Sequence, residues 1–147
     1  MNNYVKFGVM MLTSFVLMYG IMFLNVASVD HVYFSLMRNY MTLLMVSVMA
    51  FTMLLFMWSM YKNIKINVAI LVGSVLIFGL TLFGVRTQTP ISDVQWMQAM
   101  IPHHSSAILT SSQVQFSDPE VQKLADEIIE AQVREIEQMK AMIKRLE

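Results

Sequence analysis

Thioether and imidazole groups lie close together in one short stretch of the sequence, WMQAMIPHHSSAIL. Met97 and Met100 come before Pro102, and His103 and His104 follow it directly. On a helix that turns about 100° per residue, Met97, Met100 and His104 share one narrow face, and His103 lies at its edge. Because proline bends a helix, we expect Pro102 to turn His103 toward the same face. The stretch therefore offers up to four metal-binding side chains.

A second amphipathic segment, near the end of the chain, offers further donors on its apolar face. Met139 lies on this face, and Glu135 and Gln132 interrupt it one and two turns earlier. A carboxylate and an amide inside a helix contact cost free energy unless partners satisfy them. We expect this face to pack against the first segment. Its apolar residues recur at three- and four-residue steps and are Val121, Leu124, Ala125, Ile128, Met139, Met142 and Leu146.

The chemistry of these donors indicates the kind of metal. Soft sulfur with imidazole nitrogen favours copper(I), or silver(I), over magnesium or calcium. Zinc more usually recruits cysteine or more histidine and carboxylate, and a di-iron site needs Glu-x-x-His pairs. The chain has no cysteine, and thioether ligands suit an oxidising compartment. We expect copper(I) as the cofactor, with candidate ligands Met97, Met100, His103, His104, Met139, Glu135 and Gln132.

The same residues also have a structural interpretation. Methionine is a common filler of irregular core gaps, so Met97 and Met100 can simply pack. Gln132 and Glu135 can hydrogen-bond His104 with no metal present. The helical tail would then assemble the protein or dock a partner. Composition and spacing leave both interpretations open.

Three apolar segments precede the motif and predict transmembrane helices at about 5–26, 40–61 and 67–85. The chain is 56% hydrophobic and 14% charged, and Asp30 is the one acidic residue in the first 86. We expect the first segment to stay as an anchor rather than act as a cleaved signal peptide. The sequence therefore predicts a membrane domain over 1–86 and an extramembrane domain over 87–147.

Basic residues in the short flanks indicate the orientation. Lys6, Lys62 and Lys65 would lie on the cytoplasmic side, against Arg38 and Arg86 on the other. The N-terminus is then cytoplasmic and the C-terminal domain is periplasmic, in a bacterial inner membrane. In the external loop, we interpret Asp30 and His31 as a surface pair.

Capping signals predict two helices in the tail. Ser92 with Gln95 three residues later forms a capping box, so a helix begins at Asp93 and runs to about Ser112. Asp118 caps a second helix that has Pro119 at its first position and continues to near Leu146. The predicted fold class is all-α, with three transmembrane helices followed by a helical hairpin.

The tail resembles the bacterial family called domain of unknown function 305, through WMQAMIPHHSSAI and DPEVQKLADEIIEAQVREIEQM. The segment before it looks like the membrane portion of three-helix anchored members. The resemblance implies a ferritin-like bundle and, for some members, periplasmic copper binding linked to metal tolerance. By motif position, it assigns metal association to Met97, Met100, His103, His104 and Met139.

One departure from the family pattern concerns size. Fuller members repeat the hairpin, whereas this chain has one, and two helices cannot enclose a core by themselves. We therefore expect a homodimer whose two hairpins form a four-helix bundle. The predicted function is copper(I) or silver(I) sequestration, or handover to a protein partner.

Enzymes and nucleic-acid-binding proteins are disfavoured classes. No nucleophile–base–acid order and no glycine-rich phosphate loop occurs in the sequence. Neighbours such as His104 and Ser105 point about 100° apart on a helix and do not form a catalytic pair. From Arg86 onward the chain has nine acidic and six basic residues, which disfavours nucleic acid as a partner.

Overall fold

The computed structural model describes residues 2–147, and within that range the chain is helical with no β-strand, which confirms the all-α prediction. Single 3-10 turns at Val29–His31 and Trp58–Met60 lie in the connections. The five α-helices are α1 (Asn3–Ile21), α2 (Leu36–Phe56), α3 (Ile64–Thr87), α4 (Asp93–Gln113) and α5 (Pro119–Leu146).

Three of these helices, α1, α2 and α3, are long and apolar enough to cross a membrane. Their bounds differ from the predicted spans. Helix α1 ends at Ile21 instead of residue 26, and α2 covers Leu36–Phe56 instead of 40–61. The predictions followed the apolar runs, whereas capping groups and turns set where a helix ends. At the start of α3, for example, the Asn63 side chain accepts from the backbone N–H groups of Lys65 and Ile66.

The chain divides into two compact units. The first contains residues 2–21 and Met37–Pro90. Within it, the Tyr4 hydroxyl donates to Asn67 Oδ1 at 2.9 Å, and the Asn67 amide donates to the Tyr61 carbonyl at 2.8 Å. Asn67 is buried, so these bonds satisfy an amide that water cannot reach. The buried apolar residues of this unit include Phe7, Ala50, Leu54 and Tyr61.

The second unit contains Met22–Leu36 and Ile91–Glu147. It includes the loop between α1 and α2, whereas the domain boundary predicted at residue 86 places this loop in the membrane domain. Its two helices begin where the capping signals predict. The Ser92 side chain accepts from the Gln95 backbone N–H, and Asp118 accepts from the backbone N–H groups of Glu120 and Val121.

Helices α4 and α5 pack against each other around a shared core. They run in opposite directions, because Gln98 contacts Glu147 whereas His104, further along α4, contacts Glu135. The buried residues of this core are Met97, Ile101, Ile136, Met139 and Ile143.

The buried face of α5 differs in part from the predicted one. Ala125 and Met139 are buried as expected, but Ile136 and Ile143 complete the face. Four residues of the predicted face stay exposed, namely Val121 (45%), Leu124 (56%), Met142 (42%) and Leu146 (51%). The sequence pattern contains two adjacent apolar faces, and it does not tell which of them α4 covers.

Candidate functional site

The centre of the candidate site is the contact between His104 on α4 and Glu135 on α5. The His104 Nε2 lies 2.8 Å from Glu135 Oε2, and the His104 Nδ1 lies 2.9 Å from the Met100 carbonyl oxygen. The carbonyl can only accept, so Nδ1 carries a proton and donates it. This bond fixes the ring and directs Nε2 toward α5. The His104 side chain is 12% exposed and that of Glu135 is 45% exposed.

Thioether groups lie one helical turn from this contact. Met100 precedes His104 by one turn on α4, and Met139 follows Glu135 by one turn on α5. Because the helices run in opposite directions, both methionines lie on the same side of the His104–Glu135 pair. Met139 is buried in the core together with Met97, and Met100 is half-buried against it. The structure therefore places one imidazole and three thioethers along the same helix contact.

Two candidate ligands lie away from this group. His103 is exposed, so Pro102 does not turn it inward. Its ring centroid is 6.3 Å from that of His104, at an interplanar angle of 65°. Pro102 itself is buried within α4, which continues through it. Gln132 is half-buried one turn before Glu135, and within residues 2–147 it makes no hydrogen bond to His104.

The loop Met22–Leu36 packs along α4 next to the candidate site. The fully buried Ser105 hydroxyl accepts from the Ala27 backbone N–H at 2.7 Å and lies 2.8 Å from His31 Nδ1. A hydroxyl can accept two hydrogen bonds and donate one, so Ser105 can bond to His31 Nδ1 in either tautomer of the ring while it accepts from Ala27.

Further contacts hold the same loop along its length. The Leu36 backbone N–H donates to Gln95 Oε1 at 2.9 Å, and Asn25 donates to the Ser106 hydroxyl at 2.9 Å. Tyr33 packs against the core between α4 and α5. No periodic or capping signal in the sequence indicates this docking, since it depends on contacts between residues far apart in the chain.

Asp30 and His31 are paired as the sequence suggested, but only Asp30 is exposed. Asp30 makes its close contacts with Lys140 on α5 and with Ser28, and its Oδ2 is 3.8 Å from His31 Nε2. The hydrogen bond from Lys140, followed by that from Ser28, lowers the pKa of Asp30 to about 2. The His31 side chain is 15% exposed. Burial, and then the charge of Lys140, lowers the pKa of His31, against an opposing effect of Asp30.

Among the described residues, no group of three or more histidine, cysteine, aspartate or glutamate side chains could hold a metal ion. A site built from nitrogen and carboxylate ligands alone is therefore disfavoured within residues 2–147. The available donor set is one interior imidazole, neighbouring thioethers and a single carboxylate. Such a set fits a soft monovalent ion better than zinc, calcium or magnesium.

Comparison with known proteins identifies the family of this chain. Residues 85–145 match the family described as Domain of unknown function (DUF305). Over 106 residues, which are 71% of this chain and 68% of the relative, the sequence is 35% identical to uncharacterized protein L153 of Acanthamoeba polyphaga mimivirus. The chain belongs to the Domain of unknown function (DUF305) family. No solved structure gives a significant match.

Proposed function

We propose that this is a membrane-anchored metal-binding protein whose second unit binds copper(I), or the chemically similar silver(I), between α4 and α5. The observation that carries the proposal is the orientation of His104. Its Nδ1 donates to the Met100 carbonyl, so Nε2 is directed into a contact that thioethers flank. Metal-binding histidines commonly donate their second ring nitrogen to a carbonyl in this way.

Each candidate donor would have its own role in binding the ion. His104 Nε2 with the Met100 and Met139 sulfurs would hold the ion, since soft sulfur and imidazole select copper(I). Met97 extends the sulfur donors into the core, where apolar neighbours exclude water. The Glu135 carboxylate, which contacts Nε2 here, would supply negative charge beside the cation. His103 and Gln132, at the edge of the contact, would assist entry and release rather than hold the ion.

The proposed cellular role is sequestration of the ion or its handover to a protein partner in metal tolerance. Three membrane-length helices support anchoring in a bilayer. The basic residues Lys6, Lys62 and Lys65 support a cytoplasmic N-terminus and an extracytoplasmic second unit, which is periplasmic in a bacterium. A ferritin-like arrangement of helices would need further helices beyond α4 and α5. No catalytic step is part of the proposal.

A second candidate function follows from the same contact. Glu135 already occupies the position next to His104 Nε2, and Met97 and Met139 pack among isoleucines. The pair can therefore serve as a polar link that fixes the two helices. The second unit would then be a docking module for a partner.

Anaerobic competition for copper(I) tests the two functions. The full chain in detergent is titrated against a chromogenic copper(I) chelator, beside His104→Ala, Met100→Leu and the control His103→Ala. We expect stoichiometric binding that falls at least about tenfold in His104→Ala and Met100→Leu and is retained in His103→Ala. Circular dichroism checks that each variant stays helical. If the wild-type chain does not compete for copper(I), the proposal is wrong and the docking function is favoured.

A further inference from the structure

Helix α5 has a second apolar face, four of whose five residues are exposed and one of which is half-buried. Its residues lie within about 60° of one another around the helix, and the centre of this group is about 70° from that of the buried core residues. Helices in four-helix bundles contact two neighbours through adjacent faces of this kind. We call this group the α5 stripe, which consists of Val121, Leu124, Ile128, Met142 and Leu146.

The opposite side of the α4–α5 pair is the covered side. There the loop Met22–Leu36 contacts Ser105 on α4 and Lys140 on α5. Trp96 and His103 lie on the other side of α4 and are exposed. Because α4 and α5 run in opposite directions, this side of α4 and the α5 stripe belong to the same open face. The pair is therefore a layer with one face covered and one face open.

Charged residues along the outer edge of the α5 stripe indicate which partner can bind the open face. Glu120 and Glu127 lie at this edge in the first half of α5, and Arg134 and Arg145 lie there in the second half. The four positions fall within about 40° around the helix. Glu127 also lies 3.8 Å from Lys123, but both side chains are exposed and such a contact is weak.

A second α5 helix that runs antiparallel to the first places the acidic half of each helix opposite the basic half of the other. It sets Glu127 opposite Arg134 of the partner subunit, and Glu120 opposite the partner's Arg145. The midpoints of these two pairs lie about two residues apart on α5, and the register between them brings Val121 to Met142 of the partner subunit. The crossing point falls at Ala131, whose small side chain permits close approach of two helices. A parallel second helix would instead set like charges side by side.

We propose that the open face binds a second copy of this chain, with the two α5 helices antiparallel and crossing near Ala131. The interface is isologous, since each copy presents the same acidic and basic halves. Two such layers together make four helices around one interior, which removes the exposed stripe from water. The proposal is independent of copper binding, and its test needs no metal.

Charge exchange tests the register. The full chain in detergent, with metal removed by chelation, is analysed by light scattering for the wild type, Glu127→Arg, Arg134→Glu and the double variant. We expect a dimer whose dissociation constant rises about tenfold in each single variant and recovers in the double variant, because two ion pairs become two like-charge pairs and then ion pairs again. A monomeric wild type, or a double variant no better than the singles, overturns the proposal.

Disulfide formation tests the crossing point in a chain that has no cysteine of its own. With diamide as oxidant, Ala131→Cys is expected to form covalent dimers rapidly, whereas Ala141→Cys, an exposed position outside the stripe, is not. Equal rates in the two variants overturn the proposal.

Leu124→Gln should weaken the dimer, and Val133→Gln, at an exposed valine on another side of α5, should not. If the stripe is protected only in lipid nanodiscs while the chain stays monomeric, it faces a membrane surface and the proposal is wrong.

Discussion

The Nε2 of His104 and the Oε2 of Glu135 lie 2.8 Å apart and join α4 to α5. Since the Met100 carbonyl already takes the proton of Nδ1, a hydrogen bond to Glu135 needs a second proton, held either by the ring or by the carboxyl group. A copper(I) ion at Nε2 would replace that proton. The same contact can therefore be a helix link without metal and part of a metal site with it.

A double-mutant cycle measures this link in the absence of metal. His104→Ala, Glu135→Ala and the double variant are expected to show a coupling free energy of about 1 kcal/mol, reduced from a buried value because Glu135 is partly exposed. Urea titration of the full chain in detergent provides the measurement. In a Trp58→Phe background, Trp96 on α4 reports the second unit alone, because the chain has two tryptophans.

The outcome separates the two roles of the pair. Coupling near zero would mean that the contact adds nothing to folding, and the helix-link function would lose its support. Strong coupling together with copper(I) binding would mean that the pair serves both roles, as a helix link without the ion and as part of the metal site with it.

The buried hydroxyl of Ser105 contributes to the docking of the loop on α4. Ser105→Ala removes the acceptor of the Ala27 backbone N–H and the hydrogen-bond partner of His31 Nδ1, which leaves partly buried polar groups unsatisfied at a cost of about 1–3 kcal/mol. Amide hydrogen exchange over residues 22–36 should then be about tenfold faster or more.

Ser106→Ala is the matched control for this variant. Ser106 accepts from Asn25 in an exposed bond, and replacing it should leave exchange of the loop nearly unchanged. Equal effects of the two substitutions would contradict the importance of the buried hydroxyl.

Acid should weaken the same docking in two separate pH ranges. The pKa of His31 is lowered from 6.5 in the docked loop, so the undocked loop binds the proton more tightly. The contribution of neutral His31 to docking is therefore fully present above about pH 6.5 and is lost as the pH falls below that value. The pKa of Asp30 falls from 3.8 to about 2, so its contribution is present above 3.8 and is lost between 3.8 and about 2.

Exchange protection of residues 22–36, corrected for the intrinsic pH dependence, checks the upper range. We expect protection to fall between pH 7.5 and 5.5 in the wild type. In His31→Asn, where the side-chain amide can form the hydrogen bond to Ser105 in place of Nδ1, protection should be nearly constant over this range. A wild-type profile as flat as that of His31→Asn would contradict the prediction.

The sequence predicted the helices well and the contacts between distant residues poorly, for a physical reason. Apolar run lengths and local caps such as Ser92 and Asp118 determine where helices form, and both can be seen in a short window. The burial of Ser105 depends on a loop about 80 residues away, which no local pattern encodes. Glu135 and His104 were candidates for one site, and the structure brings them together. His103 was also a candidate for this site, but it is exposed, because Pro102 does not turn it toward α5.

Helices α2 and α3 approach closely at Gly84, and this contact predicts a specific loss of stability. A Cβ at Gly84 would lie 2.9 Å from Cε2 and 3.0 Å from Cζ of Tyr40, whose hydroxyl donates to the Thr89 carbonyl at 2.9 Å. Gly84→Ala must therefore move the Tyr40 ring and stretch that bond, at a cost of about 1–3 kcal/mol. Gly79→Ala is the control, because nothing lies within 4 Å of its Cβ. Thermal unfolding in one detergent should show a lower midpoint for Gly84→Ala and an unchanged or higher one for Gly79→Ala, and equal midpoints would show that the ring moves freely.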